Sequence, residues 1–389
     1  MFDQLPLSHY FSSEHEEFRA SLRDFVAREI TPFVNEWDEA GTFPRSLYRA
    51  AAELGALGVG FPEQYGGTPA DIFFKIALAE EYARGGGGGV VASLNSHTIG
   101  LPPILAAGSD ALKERVIPPV LRGEKISALA VTEPTGGSDV AAVRTRAVRE
   151  GDHYVLNGEK TFITSGMRAD FITVAVRTDP SSKGAQGISV LLVDGDTPGL
   201  TRTELKKMGW WASDTAHLHF ENCPVPVANL VGVEHQGFKT FMNNFNSERL
   251  FMSAQAYGFA QVCFDEALDW ARQRHTFGLP LSERQVIRHK LRDMALRIDA
   301  ARSLVHELAY RIEHRLADPQ QLVARIAMAK VLATQAMQFC ADQAVQILGG
   351  MGYMRGTKSE RIYREVKVMM IGGGSEEIMK DLAARQFGL

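Results

Sequence analysis

The spacing of apolar residues changes period twice along this chain, and few architectures accommodate that. From about residue 10 to 125 the pattern is helical. Phe18, Leu22, Phe25, Val26 and Ile30 recur at helical spacing between Glu14 and Ile30, and Pro32 stops the run. Segments 44–57, 70–84, 89–106 and 110–121 are predicted as further helices. From about 126 to 235 the period drops to two. Candidate strands are 127–132, 143–149, 153–157, 171–177, 187–193 and 215–220, with Asn157-Gly158 as a tight-turn signal and a Pro/Gly-rich connection at 195–199. From 236 the helical period returns over 236–274, 282–315, 319–348 and a last segment from about 376, with Asp318-Pro319 as a cap and start. The expectation is an α+β chain: an α-helical domain over 1–125, an antiparallel β domain over 126–235 and an α-helical bundle over 236–389. No βαβ alternation supports a nicotinamide-binding sheet. The glycine run Gly85–Gly89 has no strand before it and no Lys-Ser/Thr after it, so it is expected to be a flexible joint and not a phosphate loop.

At 389 residues the chain exceeds one ordinary core, which fits several packed units. A net charge of -4 gives no basic excess, so nucleic acid is not a favoured partner. No apolar run of membrane-spanning length and no signal peptide are expected. Cys223, Cys263 and Cys340 lie far apart without a CxxC spacing, which excludes a disulfide framework or a four-thiolate zinc site and fits a reducing cytoplasm. No HExxH occurs, and His217 and His219 share one strand face, where solvation explains them better than a metal.

Four segments carry chemistry. Ala130-Val131-Thr132-Glu133-Pro134-Thr135-Gly136-Gly137-Ser138-Asp139 leaves a strand with small residues, hydroxyl donors and successive N–H groups that suit a flat or anionic ligand. A polar turn would explain it equally well. Phe162 and Thr164 project to one side of a strand, an aromatic beside a hydroxyl. Arg272-Gln273-Arg274-His275-Thr276-Phe277-Gly278 closes a long helix ahead of Gln285, where an arginine is either a dipole partner or a pyrophosphate ligand. Gln346-Ile347-Leu348-Gly349-Gly350-Met351-Gly352-Tyr353 ends another helix, with a glycine C-cap as its plain reading.

Together, in this order on a helix–sheet–helix frame, these segments resemble the acyl-CoA dehydrogenase family over nearly the whole chain. The resemblance implies FAD, an acyl-CoA substrate, a homotetramer built as a dimer of dimers, and an electron-transferring flavoprotein as acceptor. It implies that Leu129, Val131, Thr132, Gly137 and Ser138 run along the flavin, with Ser138 also near the CoA phosphates, and that Phe162 and Thr164 cover the ring's other side. The family more often has tryptophan at the Phe162 position. Arg274, Phe277, Gln285, Gln346, Gly349 and Gly350 would reach the FAD of a neighbouring subunit, and Ser375 and Glu377 sit where the family binds the adenosine end. Phe241, Phe245, Arg249, Gly373 and Gly374 would line the substrate.

One departure matters for the chemistry. Many family members remove the substrate α-proton with a glutamate whose position here is Gly373, in Met370-Ile371-Gly372-Gly373-Gly374-Ser375-Glu376-Glu377. Glycine has no side chain to accept a proton, although its backbone N–H still can bind the thioester oxygen. Glu376 and Glu377 follow a serine at a helix start, and capping explains them. Glu248, followed by Arg249, resembles the site where isovaleryl-CoA and long-chain acyl-CoA dehydrogenases keep their base. Phe245, Leu250, Phe251 and Met252 surround it in sequence. The expected activity is α,β-dehydrogenation to a trans-2-enoyl-CoA, with a 3-methyl-branched or citronellyl-like acyl chain favoured and medium or long chains open. An acyl-CoA oxidase or flavin monooxygenase on the same fold, or an inactive binding module, are the other readings. The family's arginine-aspartate pair becomes Arg364-Glu365 here, and its glycine-threonine step Gly374-Ser375.

Overall fold

The computed structural model describes residues 10–242, 245–316 and 318–389. Seven helices come first: α1 (Ser13–Phe25), α2 (Val34–Ala40), α3 (Ser46–Glu53), α4 (Ile72–Ala83), α5 (Gly88–Ser96), α6 (Leu101–Ala107) and α7 (Asp110–Leu121). Eight strands follow: β1 (Ser127–Ala130), β2 (Arg146–Glu150), β3 (His153–Thr164), β4 (Phe171–Arg177), β5 (Ile188–Asp194), β6 (Leu200–Glu204), β7 (Thr215–Pro226) and β8 (Leu230–Val231). The remainder comprises α8 (Gly237–Met242), α9 (Phe245–Gln273), a hairpin of β9 (His275–Thr276) and β10 (Leu279–Pro280), then α10 (Gln285–Glu313), α11 (Pro319–Leu348), α12 (Gly350–Tyr353), α13 (Lys358–Ile371) and α14 (Glu376–Gln386). This is the helix–sheet–helix order that the change of period predicts.

The differences have local causes. The stretch expected as one helix over 89–106 is two, because Gly100 approaches β1 so closely that a Cβ there would lie 2.7 Å from the Ala128 carbonyl oxygen. Pro102 and Pro103 then start α6, where missing N–H groups cost nothing. Gly88–Ala107 does reach membrane-spanning length and hydropathy, contrary to expectation, but 56% of that window is buried inside the fold. Gly85–Gly89 is not a flexible joint: all five glycines are buried. A Cβ on Gly87 would sit 2.0 Å from Val34 Cγ2, and one on Gly88 2.5 Å from Glu365 Oε2. The run lets α5 pass against α2 and α13 at a distance that no side chain permits.

The sheet runs β6-β7-β3-β2-β4-β5-β8, with β1 beside β4. Its long pairs are antiparallel, but β1 pairs with β4 in parallel and β2 meets β4 in parallel at Arg146 and Arg177, so the sheet is mixed and not wholly antiparallel. Asn157-Gly158 does not turn the chain. It lies within β3, where the register against β7 shifts between Leu156 and Gly158, so the signal marks a β-bulge. β3 therefore continues to Thr164. β4 and β5 are buried on both faces as far as Val176 and Val193.

One core joins α1, α3 and α4 to α9, α10, α11 and α13, and two smaller ones lie on the faces of the sheet. α9 and α11 are both lined by alanines at helical spacing, including Ala254, Ala260, Ala267, Ala329, Ala336 and Ala344, which lets these long helices pack closely. Cys223, Cys263 and Cys340 are free and buried. His217 and His219 face Glu159 across the sheet at 3.8 and 3.5 Å, and no group of three or more metal-ligating side chains occurs among the described residues.

Candidate active site

Two of the four sequence segments meet at the edge of the sheet. The Thr161 N–H donates to the Thr132 carbonyl at 2.9 Å, tying the loop after β1 to the end of β3. Beneath that bond Lys160, fully buried, donates to Val131 O and to Glu133 Oε1, each at 2.9 Å. Glu133 also accepts the Arg144 and Thr145 N–H groups at 2.8 and 2.9 Å. Burial pulls the Lys160 ammonium down to about 8, while Glu133 opposes that fall. Burial works against ionisation of Glu133 too, but Lys160 and the bonds from Thr145 hold it below the usual carboxylate range. A buried pair with its bonding capacity used in this way fixes geometry more than it adds stability. The loop it fixes presents Gly137 and Ser138 to solvent, with Thr132 half-buried.

Phe162 has φ +60° and is 69% exposed, at a second register shift of β3 against β7. A phenylalanine in left-handed backbone with its ring in water is strained and unburied at once, a combination that persists where function requires it. The ring stands on the strand that also carries the Thr164 hydroxyl, across the Thr161–Thr132 bond from the loop. An exposed aromatic face with hydroxyls from Thr132, Thr164 and Ser138 fits a flat heteroaromatic group with polar edges, so the residues present suit a flavin.

The second cluster forms at the start of α9. Arg249, buried, donates from Nε to the Gly373 carbonyl at 2.9 Å and from Nη1 to Asn246 Oδ1 at 3.1 Å, with its guanidinium 5.7 Å from the Phe245 ring centroid. Burial lowers the Arg249 pKa, and the neighbouring Glu248 charge opposes that shift. A Cβ on Gly373 would lie 3.1 Å from Met252 Sδ. Met252 follows Glu248 by four residues, so the two share a helix face. Glu248 is half-buried on the face of α9 that meets the Gly372–Gly374 turn. Phe241, also expected at the substrate, is 1% exposed and packs its ring 6.3 Å from that of Phe245.

The rival carboxylates are otherwise engaged. Ser375 Oγ accepts the Ile378 N–H at 3.4 Å as the cap of α14. Glu376 accepts from Gln335 Nε2 at 2.7 Å and pairs with Lys380 at 2.5 Å. Glu377 is exposed, and bonds from its own N–H and from Ser375 hold its pKa down.

Arg364 and Glu365 do not pair with each other. Arg364 binds Asp38 at 2.8 Å and Glu360, and stacks 3.9 Å from the Trp211 ring centroid. Glu365 is fully buried, accepts the Gly88 N–H at 2.9 Å through Oε2, and leaves Oε1 without a partner. Burial and the nearby Asp38 push its pKa up to about 8.

The other two segments lie elsewhere. Arg274, Phe277, Gln285, Gln346, Gly349 and Gly350 are all exposed. Lys290 of α10 bonds Gln343 of α11, which puts the Gln285 and Gln346 ends of those helices together. Arg274 is 26 residues beyond Glu248 along α9, roughly 40 Å at the rise of an α-helix. Arg274 and Phe277 thus lie at the opposite end of α9 from Glu248.

Sequence reasoning missed Lys330. Lys330 of α11 is fully buried and donates to the Gly374 carbonyl at 2.5 Å and the Met370 carbonyl at 3.2 Å. Its signal was legible: a lone lysine in the apolar stripe Ile326-Ala327-Met328-Ala329-Lys330-Val331.

Comparison with known proteins places the whole chain in one family. The chain matches the acyl-CoA dehydrogenase N-terminal domain over residues 12–124, the middle domain over 128–223 and the C-terminal domain over 235–388. The short-chain specific acyl-CoA dehydrogenase of Rattus norvegicus mitochondria is 39% identical over 94% of this chain and 88% of its own length. The crystal structure of acyl-CoA dehydrogenase from Geobacillus kaustophilus superimposes with a TM-score of 0.93 at 38% identity, covering 98% of this chain and 100% of that one. A structure from work on the electron-transferring flavoprotein of Acidaminococcus fermentans superimposes with a TM-score of 0.92 at 32% identity, covering 98% and 99%. With its three domains matched, its sheet-edge loop and aromatic face suited to a flavin and its helices in the family's order, the chain belongs to the acyl-CoA dehydrogenase family, FAD-dependent oxidoreductases that act on acyl-CoA thioesters.

Proposed function

We propose that this enzyme removes the substrate α-proton with Glu248 and binds the thioester oxygen with the backbone N–H of Gly373. One observation carries the reading. Gly373 has no side chain, yet its carbonyl is bonded to Arg249 and its Cα faces Met252, so the start of α9 occupies the place where a base is needed. The α-proton of a thioester is a weak acid, so abstraction needs the enolate oxygen to be stabilised while the carboxylate acts. An N–H donor at Gly373 does this without a side chain. FAD, when bound, supplies the acceptor for the hydride that leaves the β-carbon.

Thr132, Thr164 and Ser138 offer donors to the ring edge and phosphates, Leu129, Val131 and Gly137 line the approach, and Phe162 stacks on the opposite face. Ser138, Phe241, Phe245, Arg249 and Gly374 border the substrate. Arg274, Phe277, Gln285, Gln346, Gly349 and Gly350 serve the FAD of a neighbouring subunit in a homotetramer, and Ser375 and Glu377 bind the adenosine end of FAD. Electrons pass on to an electron-transferring flavoprotein, and the free cysteines suit the cytoplasm. A 3-methyl-branched acyl chain is the favoured substrate, because a base at Glu248 resembles the arrangement of isovaleryl-CoA and long-chain acyl-CoA dehydrogenases.

The test uses a thioester whose β-position cannot release hydride, such as a 3-thiaacyl-CoA, so that proton removal is seen alone. Incubated in deuterated water, wild-type enzyme exchanges the α-hydrogens, while Glu248→Gln leaves them in place. Exchange at wild-type rate in Glu248→Gln would remove Glu248 from the mechanism. A panel of straight and 3-methyl-branched acyl-CoAs, read as enoyl-CoA formed, tests the substrate.

A further inference from the structure

We propose that Lys330 is a positioning residue for the oxygen-binding turn, holding the Gly373 N–H toward the thioester and directing a positive charge at the enolate oxygen. The inference rests on the role given above to the Gly373 N–H. Between α13 and α14 the chain runs through Gly372, Gly373 and Gly374. Gly373 and Gly374 have φ +69° and +110°, and three glycines in succession have no side chains to hold one conformation. The turn is fixed through its carbonyls instead. Lys330 takes those of Met370 and Gly374, and Arg249 takes that of Gly373. Neither the Gly373 nor the Gly374 N–H makes a backbone hydrogen bond among the described residues. The carbonyls are thus drawn toward two cations, leaving the N–H edge of the turn available to a ligand.

A buried ammonium is costly unless it is bonded or paired. Lys330 has no ion pair among the described residues, and its acceptors are the Met370 carbonyl in the last turn of α13 and the Gly374 carbonyl in the turn that follows. Glu376, the nearest acidic charge acting on it, is occupied by Gln335 and Lys380. A lysine whose only task was to stabilise the bundle would be replaceable there by an apolar side chain of similar length, as buried charges often are. Its bonds go instead to the segment that binds the reacting oxygen. Burial, with Arg249 nearby, lowers its pKa to about 8, so at neutral pH it still carries most of its charge.

The experiment measures enolate stabilisation apart from turnover. Acetoacetyl-CoA has an acidic α-position, and the near-ultraviolet absorbance of its enolate, followed against pH on the FAD-loaded enzyme, gives the midpoint at which the bound ligand ionises. Lys330→Met is expected to raise that midpoint by about one pH unit, a tenfold loss of enolate stabilisation. It should also lower kcat about tenfold or more while KM changes less than about threefold. Lys330→Gln, which keeps an N–H donor without the charge, should give a smaller rise, and it serves if Lys330→Met does not fold. An unchanged midpoint and kcat in either folded, FAD-replete variant overturns the proposal. Repeating the titration in Glu248→Gln separates this inference from the choice of base. There the proton leaves to solvent, so the Lys330 effect persists whether or not Glu248 is the base.

Discussion

Glu365 is the residue whose surroundings most directly predict a solution property. It is fully buried, bonded through one oxygen to Gly88, and ionises only near pH 8 instead of 4.5. Between those values the folded chain holds a proton that the unfolded chain has released, so stability falls as pH rises. His97, which burial pulls down to about 4 from 6.5, acts in the opposite direction, but only below 6.5. From pH 6.5 to 8 the Glu365 effect is therefore unopposed by His97, and its own contribution falls by about 2 kcal/mol. Lys160 and Lys330, lowered to about 8 when folded, offset part of that loss near the top of the window. Denaturant unfolding should show the wild type losing more stability between the two pH values than Glu365→Gln, by about 2 kcal/mol. A variant with the same slope as wild type would show that Glu365 is ionised when folded. At this scale the sequence was informative where a residue type cannot do a job. Glycine at 373 excludes a side-chain base, and a serine before two glutamates marks a cap. It was silent on Glu365, because an arginine-glutamate dipeptide looks like an exposed pair until its neighbours Asp38 and Gly88 are known.

Helices with strong end signals were the most legible elements. Asp318 caps α11, accepting the Gln320 and Gln321 N–H groups at 2.9 and 3.1 Å through Oδ1. Asp318→Ala should cost about 1 kcal/mol in unfolding free energy and leave FAD content unchanged, whereas no loss would mean that the end of the helix is held by packing alone. α13 was not foreseen, although Thr357 caps it by accepting the Glu360 N–H at 3.3 Å, a Thr-x-x-Glu spacing that could have been read. The sheet resisted sequence reasoning for a different reason. A bulge and a turn both begin with an asparagine-glycine step, and only pairing with β7 shows that β3 continues through it. The glycine run before α5 likewise resembles a joint in sequence, because the side chains that demand glycine there, Val34 and Glu365, come from distant parts of the chain.

For the whole molecule, the exposed residues at the far end of α9 are hard to explain in a single chain. Phe277 is 99% exposed in left-handed backbone at the tip of the β9–β10 hairpin, and Arg274 stands beside it. Both lie roughly 40 Å along α9 from the candidate base. If they hold a neighbouring subunit's FAD, Arg274→Ala should lose FAD on dilution or gel filtration at least about tenfold more readily than wild type, with the fold intact by circular dichroism. A strictly monomeric wild-type protein with normal FAD retention would contradict that arrangement. The order of domains was legible in full from the change of period. The assembly rests on resemblance alone, since no spacing within one chain records a partner.

The chemistry depends on which carboxylate takes the proton, and rapid-mixing reduction of the enzyme-bound flavin by acyl-CoA without oxygen tests that most directly. Wild type, Glu248→Gln, Glu376→Gln and Glu377→Gln are compared after matching their FAD content. Glu248→Gln keeps the shape and the bonding of the side chain but cannot accept a proton, so its rate should fall by about a thousandfold or more, near the top of the range for a general base. The two α14 variants should stay within about threefold of wild type, because capping and the bond to Lys380 are not proton transfers. Reduction of Glu248→Gln at near wild-type speed, together with loss of reduction in either α14 variant, would contradict the assignment and place the base at the start of α14.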